Sequence, residues 1–115
     1  MLFDLPYSQA VQAGNLLFVS GQLGLDPSTG EFVEEGIKTQ AQQLFKNMKT
    51  ILAETRYTIA DIVKTTVFLA DMSDFAIVNE VYTAQFESNY PTHSAVTIKT
   101  LPKDGLVEVE VIAAK

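Results

Sequence analysis

Apolar positions in this chain recur with two different periods. Leu16-Leu17-Phe18-Val19-Ser20 is a short β-rich run set between the turn pair Gly14-Asn15 and Gly21, which predicts a strand followed by a position that needs backbone freedom. Ser8 to Ala13 alternates enough to pair with it as a hairpin. Asp26-Pro27-Ser28-Thr29-Gly30 has turn chemistry, with Pro setting one dihedral and Gly tolerating positive φ, and it separates sheet from helix. From Gly36 to about Thr55 the period changes: Ile37, Ala41, Leu44, Phe45, Met48, Ile51 and Leu52 follow one another mainly at threes and fours. That is the stripe of an amphipathic helix.

Ile62 to Leu69 is rich in β-branched residues and alternates, predicting a strand after the helix. Ser73 with Asp74 is read as the N-cap of a second helix, with Phe75, Val78, Val81, Tyr82, Ala84 and Phe86 on or near one face. It ends before Pro91, which pushes Tyr90 towards extended geometry. Two strands close the chain, Ser94 to Lys99 and Leu106 to Ala113, joined by Pro102-Lys103-Asp104-Gly105. The order β-β-α-β-α-β-β predicts one two-layer α+β domain over residues 1–115, with two helices against one sheet. One sheet face must then be covered by something else. Val107, Val109 and Val111 are apolar opposite Glu108 and Glu110, and a small domain with an uncovered sheet face is expected to self-associate.

Composition narrows the function classes. With 115 residues, 47% of them apolar and 19% charged, the chain is long enough to bury one core and too apolar for the disordered class. A net charge of −6, with eight scattered Lys and Arg, argues against nucleic acid as a partner, since that binding needs clustered cations. Without cysteine there are no disulfides, thiolate nucleophiles or thiolate metal sites. One histidine with no acidic cluster near it in sequence argues against a zinc site. Neither a basic-then-apolar leader nor a membrane-length apolar run is present in the sequence, and the cytoplasm is the expected compartment. No glycine-rich phosphate loop opens a helix, so no cofactor is expected.

Chemistry has few places to reside. Glu108 and Glu110 share a strand face because side chains repeat every two residues. They form either a solvated face or a face on which one carboxylate works on a proton. His93, the sole histidine, is either a polar residue at a strand entrance or a ligand-binding imidazole.

The segments Pro6-Tyr7-Ser8-Gln9-Ala10, Val19-Ser20-Gly21-Gln22, Asp61 to Phe68, Pro91-Thr92-His93-Ser94-Ala95-Val96, Leu101-Pro102-Lys103-Asp104 and Val107 to Val111 together resemble the RidA (YjgF) family of enamine/imine deaminases over nearly the whole chain. The resemblance implies a chorismate-mutase-like fold, a trimer whose sheets pack into a central barrel, and sites at the subunit clefts. It implies that Glu108 orders the water that attacks an imine carbon, whereas Glu110 matches a position without such a role. Tyr7 and Ser20 match cleft-lining positions, and Asn79 matches a helix position near the neighbouring subunit's site. Ala95 stands where many members have cysteine and retains its backbone N–H for a ligand oxygen. His93 stands where the family has the arginine that grips the substrate carboxylate. Arginine offers a permanently charged fork for two parallel hydrogen bonds, whereas neutral imidazole offers one donor and no charge.

The expected activity is therefore hydrolysis of 2-imino acids to 2-oxo acids and ammonia, weakened by His93, with a small carboxylate metabolite as ligand. A non-catalytic metabolite-binding or regulatory trimer is the alternative. Endoribonuclease activity, attached by name to some relatives, is a third, disfavoured by the acidic charge.

Overall fold

The computed structural model describes residues 8–33 and 36–115. Five strands form one mixed sheet in the order β1-β2-β5-β3-β4. In chain order the elements are β1 (Ala10–Ala13), β2 (Leu16–Gln22), α1 (Ile37–Glu54), β3 (Ile62–Leu69), α2 (Phe75–Thr83), β4 (Thr92–Thr97) and β5 (Val107–Ala114). The β-β-α-β-α-β-β order is as the periodicity predicts. All pairings are antiparallel except β3 with β4, which run parallel across the α2 crossover.

Alternation along β5 decides which face meets the helices. Val107, Val109, Val111 and Ala113 are buried and join one core with Leu44, Phe45 and Met48 of α1 and Val78, Val81 and Tyr82 of α2. The valine face is thus the helix-covered face. The uncovered face is the one that carries Glu108 and Glu110, together with Phe18, Thr66 and Phe68, as the cross-strand pairs require.

Local chemistry differs from the sequence reading at three places. Asp74 occupies the N-cap position of α2, as the sequence predicts, but its side chain makes no capping hydrogen bond; the side-chain cap comes one turn earlier, where Asp71 accepts from the Ser73 N–H in a short 3₁₀ turn over Met72–Asp74. Gln40 is polar yet 5% exposed on the α1 stripe, and its side-chain oxygen accepts the Leu106 N–H at 2.9 Å. Gly21 does not end β2 and is not among the glycines with positive φ. The 26–30 loop closes as its composition predicts: Gly30 N–H donates to Asp26 C=O at 2.8 Å, and Asp26 Oδ1 accepts from the Ser28 N–H at 2.9 Å and its hydroxyl at 2.7 Å.

Candidate active site

A β-bulge sets the surroundings of Glu108. Between the pairs Val19–Val111 and Gln22–Val109, β2 advances three residues while β5 advances two. The extra residue falls at Ser20-Gly21 and bends β2 where it passes Glu108. A side chain at Gly21 would collide with the Glu108 carboxylate, its Cβ lying 2.6 Å from Cδ and 2.9 Å from Cγ. Glycine is needed there for room.

Glu108 is half-buried while Glu110 is exposed, although both occupy the same face. Burial pushes the Glu108 carboxyl above its usual 4.5, and the Glu110 charge adds to the rise, as desolvation and a like charge both disfavour the ionised form. Ser20, beside Gly21, donates its hydroxyl to the Ser8 C=O at 2.6 Å, and its N–H bonds to Gln9 C=O at 2.9 Å. Its side chain thereby ties the chain entering β1 to the bulge. Tyr7, one residue earlier, lies outside the described residues.

His93 belongs to the other side of the sheet. It pairs with Thr65 across β3–β4, and Thr65 is fully buried beneath α2. The imidazole stacks on Tyr82 of α2 at a centroid distance of 4.6 Å and 23° between planes, with Phe75 at 6.4 Å and 29°. His93 remains exposed at the sheet edge, and partial desolvation against these rings lowers its pKa below the usual 6.5, favouring the neutral form at physiological pH.

Phe75, Asn79 and Tyr82 are spaced by four and three, which places Asn79 on the helix stripe that approaches His93. Ala95 pairs with Val67 and packs against the core. Because the Ile98 N–H donates to Leu69 C=O in β3, alternation turns the N–H groups of His93, Ala95 and Thr97 to the outer edge of β4. The Ala95 N–H thus faces where a ligand oxygen can reach it.

The structure therefore sorts the sequence-predicted residues into two groups. Ser20 and Glu108, with the glycine niche, belong to the β2–β5 bulge, and Glu108 projects from the uncovered face. His93, Asn79 and Ala95 gather at the α2–β4 edge on the helix side. A single chain does not bring the two groups onto one ligand. A hollow of about 150 Å³ on the uncovered face is lined by Phe18, Lys64, Thr66 and Glu110 among others, without Glu108 or His93. Among the described residues no group of three or more His, Cys, Asp or Glu is placed to hold a metal, and no helix is long and apolar enough to cross a membrane.

Gly21 is the functional residue that composition did not reveal, because its requirement comes from a side chain 87 positions away. The signal lies in the Ser-Gly step within an otherwise continuous strand, since glycine inside a strand marks a bulge or a close approach.

Comparison with known proteins agrees with the fold. The Endoribonuclease L-PSP family model matches residues 4–115. A RutC family protein of Pyrococcus horikoshii is 50% identical over 96% of this chain and 87% of its own. The human 2-iminobutanoate/2-iminopropanoate deaminase is 44% identical over 94% of this chain and 79% of its own. The crystal structure of Escherichia coli TdcF with bound serine superposes with a TM-score of 0.90 at 41% identity, covering 96% of this chain and 88% of that one. With its mixed five-stranded sheet backed by two helices and the motifs around His93 and Glu108, the chain belongs to the Endoribonuclease L-PSP family, which is the RidA (YjgF) family.

Proposed function

We propose that the protein hydrolyses reactive 2-imino acids, in equilibrium with their enamines, to 2-oxo acids and ammonia. Glu108 holds the attacking water. The water oxygen adds to the carbon of the protonated C=N bond while Glu108 accepts the water proton, giving a carbinolamine. The proton then passes from Glu108 to the nitrogen, the C–N bond breaks and ammonia leaves, and Glu108 accepts the hydroxyl proton as the C=O bond forms. A carboxyl with a raised pKa suits both directions of that transfer. The observation that carries this reading is the Glu108 carboxylate in the niche that Gly21 leaves open, with its pKa raised. The human relative named as an imine deaminase and the serine-bound TdcF support the substrate class, a small molecule bearing a carboxylate.

Glu108→Gln abolishes turnover of freshly generated 2-iminobutanoate, whereas Glu110→Gln retains most of it. Equal losses from both, with folding intact, would show that the assignment is wrong.

The two groups of site residues occupy opposite faces, and a ligand that needs both must sit between copies. We therefore place the site in an inter-subunit cleft of a homotrimer, with Glu108 and Ser20 from one chain and His93, Ala95 and Asn79 from its neighbour.

The second reading is a non-catalytic metabolite-binding trimer, favoured by the uncharged, ring-stacked His93 at the carboxylate position. His93→Arg separates the two. For an enzyme, the guanidinium grips the carboxylate in ground and transition states alike, so imine turnover rises mainly through a lower KM. A His93→Arg protein that folds normally and gains no turnover would favour the binding module.

A further inference from the structure

The imidazole of His93 is held by rings, and those rings are themselves anchored. Tyr82 is 3% exposed, and its hydroxyl shares a 2.8 Å hydrogen bond with Thr65 Oγ1. Its ring meets Phe45 edge-on at 6.1 Å and Phe86 at 5.0 Å. Thr65 is also the cross-strand partner of His93. The hydroxyl that anchors the phenol thus belongs to the neighbour of the residue on which the phenol stacks. Swinging the Tyr82 side chain to another χ1 rotamer would break the buried hydrogen bond and leave a polar group unpaired.

We propose that Tyr82, anchored by Thr65 and packed against Phe45 and Phe86, is the positioning residue for the exposed His93, fixing where the imidazole stands and so the terms on which the cleft receives a ligand carboxylate. The inference rests on reading His93 as the ligand-facing residue and does not require imine hydrolysis. Tyr82 is the titratable group facing His93 from α2. From β3 the neighbour is Thr65, while Lys64 is directed to the opposite sheet face by alternation. Within Thr92–Thr97, His93 is the ionisable side chain, and burial is the cause of its lowered pKa. At neutral pH the imidazole offers a carboxylate one neutral hydrogen bond. On acidification it becomes a charged donor held in the same plane.

The test uses the single histidine, whose ring protons give one NMR titration, with 2-oxobutanoate as a stable carboxylate probe. In the wild type the midpoint lies below 6.5, and 2-oxobutanoate affinity rises about tenfold as pH falls through it, the worth of charge assistance on one hydrogen bond. Tyr82→Leu removes the ring and moves both the histidine midpoint and the affinity transition upward together. Tyr82→Phe keeps the ring but loses the Thr65 anchor, and moves both in the same direction by less. Should Tyr82→Leu fail to fold, Thr65→Val, which removes the anchoring hydroxyl, moves the midpoint in the same direction. An unmoved midpoint in whichever variant folds, or an affinity that ignores the histidine titration, overturns the proposal. Failure of the hydrolysis reading shows separately, as absent Glu108-dependent turnover.

Discussion

At the scale of single residues, Gly21 and Glu108 are one unit. The atoms that a Gly21 methyl would meet belong to the end of the flexible Glu108 side chain, which can swing aside at little cost to the fold. Its working position is lost when it does. Gly21→Ala is therefore expected to leave the melting temperature near that of the wild type and to lower kcat/KM for imine hydrolysis about a hundredfold, the effect of a displacement near 1 Å at a reacting group. A loss of stability matching the loss of activity would contradict this. The same carboxylate sets a pH dependence whose sign follows from its raised pKa. The folded state binds the proton more tightly than the unfolded chain, so Glu108 costs stability as pH rises from 4.5 through the folded value. Glu108→Gln accordingly stabilises the protein at pH 7 while ending turnover. Wild-type activity falls on acidification at a pH above the ordinary glutamate range, because the protonated carboxyl cannot take the water proton.

At the scale of elements, a second glycine behaves in the opposite way. A Cβ at Gly24 would lie 2.6 Å from the Gln40 Cα and 2.9 Å from its carbonyl carbon, and helix backbone cannot swing aside. Gly24→Ala is expected to cost roughly 1–3 kcal/mol, as overpacking does, measurable by urea denaturation, with kcat unchanged in the folded fraction. An unaltered denaturation midpoint would mean that α1 is not seated on this segment as described. The contrast shows what the sequence could disclose. The stripe from Ile37 to Leu52 and the alternation in Val107–Val111 specify α1, β5 and their buried faces, because burial depends on periods of 3.6 and 2 that composition displays directly. The inward Gln40 and the closeness of Gly21 to Glu108 depend on partners far along the chain, and the Asp71 cap on turn geometry, so the apolar periodicity does not carry them. Asn79 and His93 were legible as candidates through the family motif. Their meeting at one edge came from the α2 stripe and the parallel β3–β4 register.

At the scale of the whole molecule, the uncovered sheet face and the divided site call for the same remedy. Phe18 and Val96 are 41% and 43% exposed, and both project from the face that the helices leave open, as their pairings with Ile112 and Phe68 require. Apolar exposure of this kind on a chain of 115 residues is relieved by association with further copies. In the cyclic trimer we propose, Glu108 of one chain would face His93 of the next. Light scattering at micromolar concentration is expected to return three times the chain mass, and Phe18→Asp to shift it towards the monomer with loss of turnover although Glu108 and His93 are intact. The stronger test is complementation. Glu108→Gln lacks the water-holding carboxylate, and His93→Glu repels the substrate carboxylate, so each variant alone is inactive. In trimers reassembled from an equal mixture, an interface with Glu108 from one variant and His93 from the other arises about a quarter of the time in a heterologous ring. Turnover then returns to about that fraction of the wild type. If each chain carried a complete site, every site in the mixture would keep one defect and no activity would return, and the division of the site across the sheet would have to be abandoned.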